Sequence, residues 1–284
     1  MSWNLHGTHA QNGDLVELVG LKNKHFIFRL QTGGELQSHR GVVKHDDLIG
    51  LPFGSQIFSH IGKPFFLLQP ALADLLKDIP RSTQILYPKE IGFILVTMGI
   101  GPGQHVMEAG TGSGALTSAF AFAVGAQGKV TTYEARPEMQ RVAIRNLQRL
   151  GLEKQVEFKL KDIGEGFEET GVDALFLDVA NPFDYIAQVR AALKLGGFFG
   201  CILPTANQVS RLLVALRQND FAFIDVLEIL MRYYKAEPDR FRPVDRMIAH
   251  TGFLIFARPV LIARQDEEGQ QLLNETNDIG SSSD

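Results

Sequence analysis

Hydrophobic residues recur at two different periods along this chain, and the change of period divides it. From Gly13 to about Gln69 the apolar positions fall in short alternating runs, DLVELVG, HFIFRLQ, GVVKHDD, QIFSH and PFFLLQ, separated by Gly, Asn and Pro and by a TGGE turn. Alternation of that length predicts strands with one buried face, hence a small β-domain built as a curled sheet or barrel. Near Pro70 the spacing lengthens: ALADLLKDI and KEIGFILVTMG carry apolar residues at helical intervals on either side of PRSTQILYP. A domain boundary between residues 70 and 80 follows. Beyond Gly103 the two periods alternate. HVMEAG, KVTTYEA, VEFKLKD, DALFLDV and FFGCILP read as strands. ALTSAFAFAVG, PEMQRVAIRNLQRLG, DYIAQVRAALKLGG and ANQVSRLLVALRQND read as helices, the second opened by Pro137 and stopped by Gly151. Strand and helix in regular succession require parallel pairing through right-handed crossovers, so an α/β fold with an open, doubly wound, mostly parallel sheet is expected. FIDVLEILMRYYKA and GFLIFARPV should close one edge as an antiparallel pair. The expected division is a β-domain over residues 1–75, an α/β domain over 76–263 and a tail over 264–284.

Composition bounds the class. Hydrophobic residues make up 45% and charged residues 21% of the 284, the balance of an ordinary globular chain. No apolar run reaches the roughly 18 uncharged residues that a membrane span needs, and MSWNLHGTHAQNGD lacks the basic and then apolar order of a signal peptide. A soluble, cytoplasmic protein without a membrane partner is expected. The single cysteine, Cys201, sits in GGFFGCILP; alone it closes no internal disulfide and builds no zinc cluster, and it reads as a small core residue. The net charge of −4 is set by the tail, where Arg264 to Asp284 hold six acidic residues against one base and no apolar stripe. The tail reads as disordered, and the remainder is near neutral, so a local basic face for nucleic acid stays open.

An open parallel sheet gathers its ligand beyond the carboxyl ends of its strands. Four of those ends carry glycines or acids. EAGTGSGAL supplies Gly110, Gly112 and Gly114 for a tight turn with close backbone approach, and the following helix presents free amides. Glu134 in TTYEA lies where a carboxylate accepts ribose hydroxyls, and Asp162 in FKLKDI where one accepts an adenine amino group. Asp178 ends the DALFLDV strand. Each could be a surface acid or a helix cap; their combination at successive strand ends carries the reading. The glycines follow G-x-G-x-G rather than the longer spacing that favours a dinucleotide, and Glu108 precedes them as a partner for a cationic group. S-adenosylmethionine is favoured over a nicotinamide cofactor.

The segments RSTQILYPKEIGFIL, EAGTGSGALT, TYEAR, DALFLDVANPF, LPTANQVSRLLVALR and RMIAHTGFLIFAR, in this order over about residues 70–258, resemble the single-subunit bacterial and archaeal tRNA (adenine(58)-N(1))-methyltransferases. That resemblance implies methyl transfer from S-adenosylmethionine to N(1) of adenine 58 in the T loop of tRNA, a homotetramer, and no metal. It implies Gln84 beside the cofactor and Ser113, Gly114, Ala115 and Leu116 around its methionine portion. Asp178 becomes the first catalytic candidate, taking the exocyclic amino group of the target base, with Tyr87 as a platform for that base. One departure stands out: the chain reads Asp178-Val179-Ala180-Asn181-Pro182-Phe183 where family members often read D-x-P-D-P-W.

Arg232, Lys235, Arg240, Arg242 and Arg246, interleaved with Tyr233, Tyr234 and Phe241, form a basic and aromatic cluster expected to touch RNA phosphates, with the β-domain assisting. His250 in AHTGFL is expected to hold a structural hydrogen bond, and DVLEILMRYY suits a subunit interface. Other readings remain: a methyltransferase acting on protein isoaspartate or a small molecule, a non-catalytic RNA-binding subunit of the same family, and a nicotinamide-dependent oxidoreductase.

Overall fold

A computed structural model describes residues 7–21, 24–80, 86–247 and 249–262. The chain falls into two compact units, one of residues 1–80 and 146–152 and one of 81–145 and 153–284.

In the first unit, β1 (Leu15–Gly20), β2 (Lys24–Arg29), β3 (Glu35–Ser38), β4 (Gly41–Lys44), β5 (Gln56–Phe58) and β6 (Pro64–Leu68) precede a short helix α1 (Leu72–Asp78). They form an antiparallel sheet in the order β2-β1-β6-β5 and a β3-β4 hairpin. The alternation works as the sequence implies: on β6, Phe65 and Leu67 are buried with Val16, Leu18, Leu30 and Leu48, while Phe66 between them faces out.

The second unit opens with α2 (Pro88–Thr97), whose first helical position is a proline. Then come β7 (His105–Ala109), α3 (Ala115–Val124), β8 (Lys129–Glu134), α4 (Pro137–Leu150), β9 (Val156–Leu160), β10 (Val172–Leu177), α5 (Ile186–Ala192), β11 (Leu193–Leu203), α6 (Ala206–Gln218), β12 (Phe221–Leu227) and β13 (Phe253–Pro259). Their sheet runs β12-β13-β11-β10-β7-β8-β9, parallel from β9 to β11, with β13 antiparallel to both β11 and β12. Strands covered on both faces must be apolar throughout. Accordingly Ala174, Leu175, Phe176 and Leu177 of β10 are fully buried, as is Cys201 of β11. Helix α4 crosses from the second unit into the first at Asn146, and in the second it buries Met139 and Ala143.

Two sequence expectations need correction. Leu193 to Gly197 were expected to end a helix, but they begin β11. Gly196, at φ +67°, looks in sequence like a helix-ending glycine. Here it bends the start of a strand whose register against β10 shifts between Val172 and Ala174. The run FIDVLEILMRYYKA was expected to be one strand, but pairing stops at Leu227. Beyond it Leu230, Met231, Tyr233 and Tyr234 are exposed, so they lack the buried face that extends a strand.

Candidate active site

The chain leaves β7 towards β8 and β9, then returns to place β10 on the other side of β7, so strand order reverses between β7 and β10. A crevice opens at such a point because the two connections depart in opposite directions. Ala109 and Leu177 are register partners there, and Asp178 N donates to Ala109 O at 2.8 Å. Gly110 has φ +96°, and a Cβ on it would stand 2.1 Å from the carbonyl oxygen of Asp178. Only glycine lets the two strand tips approach this closely. Gly114, at φ +82°, then turns the chain into α3, whose first turn has no side-chain cap.

Acidic groups ring this turn. Glu108 is buried on β7, and its Oε2 accepts from Thr117 Oγ1 at 2.5 Å and Thr132 Oγ1 at 2.7 Å. Burial pushes its carboxyl up to about 8, against the opposing pull of the two threonines. Glu134, the last residue of β8, clamps the glycine turn: Oε2 accepts from Gly112 N at 3.0 Å, and Oε1 from Arg136 N at 3.1 Å and Nε at 3.0 Å. Asp162, just past β9, accepts from Gly164 N at 2.7 Å and caps a short helical turn. Asp178 is open to the crevice yet crowded by protein around it; the crowding raises its carboxyl to about 6.

Three cavities meet at Asp178. The first is lined by Glu108, Gly110, Gly112, Ser113, Ala115, Leu116 and Arg136, with Leu86 and Asp178. The second is lined by Gly110, Tyr133, Glu134, Arg136, Asp162, Ile163 and Tyr185, again with Asp178. The third is lined by Leu86, Tyr87, Glu90, Ile202, Pro204 and Thr251, and once more by Asp178. The candidate residues therefore gather around one crevice, with Gly114 behind it as the helix turn; Gln84 lies outside the described residues. Sequence reasoning missed Arg136, Glu90, Thr251 and Tyr185. Arg136 had a signal, two residues past Glu134, whereas Glu90 and Thr251 are 161 positions apart and nothing local connects them.

Elsewhere, His250 bridges Glu228 Oε2 at 2.8 Å and the Pro204 carbonyl at 3.1 Å. Phe183 lies beneath the Arg211 guanidinium, 3.7 Å from the ring centre. The basic and aromatic cluster is a surface loop in which Tyr234 stacks on Phe241 and Arg242 pairs with Asp245 at 2.7 Å.

A family model described as the GCD14 subunit of the tRNA methyltransferase complex matches residues 65–246, and one described as TrmI-like N-terminal matches residues 10–57. The chain belongs to this tRNA methyltransferase family. Among its members, the tRNA (adenine(57)-N(1)/adenine(58)-N(1))-methyltransferase of Methanocaldococcus jannaschii is 35% identical over 80% of this chain and 90% of its own. The tRNA (adenine(58)-N(1))-methyltransferase of Thermus thermophilus is 32% identical over 84% of this chain and 93% of its own. Of solved structures, the tRNA (m1A58) methyltransferase of Aquifex aeolicus superposes with a TM-score of 0.77 at 35% identity, over 89% of this chain and 99% of that one. A Thermotoga maritima protein described as a SAM-dependent O-methyltransferase superposes with a TM-score of 0.84 at 39% identity, over 93% of this chain and all of that one.

Proposed function

We propose that this protein transfers the methyl group of S-adenosylmethionine to N(1) of adenine 58 in tRNA. The observation that carries the reading is that Asp178 lines all three cavities, so one carboxylate borders both the groove around the glycine turn and the cavity beside Tyr87.

The residues fit that cofactor. Its cationic methionine end suits the first cavity, where the buried Glu108 carboxyl waits for a positive partner and the first turn of α3 offers amides to a carboxylate. Its ribose and adenine suit the second, where Glu134 and Asp162 keep acceptor capacity beyond their backbone bonds. Gln84 is assigned to the same groove from sequence alone. When bound, S-adenosylmethionine supplies a methyl group already activated on sulfur.

The protein's task is then alignment, which can supply several kcal/mol of the barrier. Tyr87, at the N-cap of α2 and half-buried, offers its ring for the target base to stack on. Asp178 accepts a hydrogen bond from the exocyclic amino group, orients N(1) towards the donor and faces the positive charge that grows on the ring. A carboxyl near 6 is ionised at neutral pH, as that duty requires. A base in folded tRNA must swing out to reach this depth, at a cost of a few kcal/mol, and restacking on Tyr87 offsets part of it.

The loop holding Arg232, Lys235, Arg240, Arg242 and Arg246 is assigned to RNA phosphates, with the β-domain assisting. No described helix is long and apolar enough to cross a membrane, and a tRNA substrate assigns the protein to the cytoplasm. The protein is also assigned a homotetrameric assembly; exposed Leu230 and Met231 in the run from Asp225 to Tyr234 support an interface there.

The Thermotoga neighbour's description favours a second reading, methyl transfer to an oxygen. Incubation of unmodified tRNA with methyl-labelled cofactor, digestion and nucleoside chromatography separates the two. Label in 1-methyladenosine supports the proposal; label in an O-methylated nucleoside, or none in tRNA, overturns it.

A further inference from the structure

The cavity beside Tyr87 contains a second carboxylate that the mechanism above leaves idle. Lys89 and Glu90 follow Pro88 in the first turn of α2, and both are buried, with side-chain exposures of 7% and 1%. Lys89 Nζ lies 2.5 Å from Glu90 Oε1, and it also donates to Ile229 O at 2.6 Å and Thr251 Oγ1 at 2.9 Å. Thr251 Oγ1 in turn donates to Glu90 Oε1. One carboxylate oxygen is therefore held by two donors, and the side chain is fixed. The other is not explained: Glu90 Oε2 is buried and, among the described residues, meets no hydrogen-bond donor. A buried carboxylate oxygen without a donor is costly, and such atoms are few in folded proteins. Glu90 lines the same cavity as Tyr87 and Asp178.

We propose that Glu90 is a specificity-determining residue whose Oε2 accepts the second N–H of the target base's exocyclic amino group, opposite the N–H taken by Asp178. This rests on the reading of the cavity as the site of an adenine. An amino group presents two hydrogens in the plane of the ring, so two carboxylates can bracket it. A base with a carbonyl at that position turns lone pairs towards both and is rejected, as sites with unpaired buried polar groups reject mismatched ligands. Methylation at the ring nitrogen leaves the base cationic and its amino group a stronger donor, so the same contact favours the transition state over the ground state. Lys89 balances the charge of Glu90, and Thr251 sets its rotamer, so the acceptor is positioned before the base arrives.

The test compares tRNA carrying adenosine at position 58 with tRNA carrying purine riboside there, which keeps the ring nitrogen and lacks the amino group. On adenosine, Glu90→Gln should lower kcat/KM by about tenfold to a hundredfold, the loss expected when one charge-assisted hydrogen bond is removed. S-adenosylmethionine affinity by calorimetry should change less than about twofold. On purine riboside, variant and native enzyme should perform alike. Glu90→Asp, which keeps the ion pair with Lys89 but withdraws the carboxylate by one methylene, should show the same pattern if the Gln variant does not fold. Equal losses on both substrates, or no loss on adenosine, overturn the inference while leaving the methyltransferase reading standing. A native enzyme that makes no methyladenosine overturns both.

Discussion

Replacing Gly110 with alanine attacks the point where the two strand tips touch. The new Cβ would sit 2.1 Å from the Asp178 carbonyl oxygen and 2.8 Å from its carbon, so the tips must part by more than about 1 Å to restore ordinary contact. Holding alanine at φ +96° costs about 1–2 kcal/mol, relieving the overpacking about 1–3, and losing the Asp178 N to Ala109 O bond about 1. Reduced freedom of the unfolded chain returns about 0.4–1 kcal/mol. The net loss is about 2–6 kcal/mol, or roughly 5–20 °C in Tm for a unit of this size. Gly171 provides the control, because it has φ +68° but open space where its Cβ would go. Gly171→Ala should lose only the backbone term. Scanning calorimetry measures both, and titration with S-adenosylmethionine should show at least a tenfold loss of affinity for Gly110→Ala alone. If the two variants melt and bind alike, the close approach of the strand tips does not build the site.

Asp178→Ala should retain cofactor binding and lose most turnover, and in the native enzyme kcat should fall as pH drops through about 6, where Asp178 takes up a proton. Full turnover in the variant removes Asp178 from the reaction. Glu108 titrates the other way round the cycle: its folded carboxyl sits near 8, above the ordinary 4.5, so it is mostly neutral at pH 6 and must give up a proton to face a cation. Cofactor affinity should therefore rise about tenfold per pH unit up to about 8, with proton release visible in calorimetry with buffers of different ionisation enthalpy; flat affinity and no released proton refute the pairing. Changing Arg240 and Arg242 together to alanine should weaken tRNA binding and reduce its logarithmic salt slope by about 1.5; an unchanged slope retires that surface.

The glycine turn, Glu134 and Asp178 were legible because an open parallel sheet converts local motifs at strand ends into one site, and the order of strands and helices is itself a local signal. Glu90 with Thr251 was not, because the pair forms only when the segment after β12 returns to α2, and neither residue announces this in its neighbourhood. The start of β11 was misread for a related reason: the apolar period of the preceding helix runs on through Leu193, and only tertiary pairing with Val172 shows that the strand has begun. The dual duty of Glu134, clamping Gly112 while facing the second cavity, also needed coordinates.

The central claim is that Asp178 stands between a cofactor groove and a separate cavity for the acceptor. A crystal structure with S-adenosylhomocysteine bound tests it most directly. The account predicts the amino acid end beside Glu108 and the loop from Gly110 to Leu116, the adenosine beside Glu134 and Asp162, and the sulfur turned towards Asp178 and the cavity of Tyr87. A ligand seated elsewhere, or with its sulfur facing away from Asp178, contradicts it.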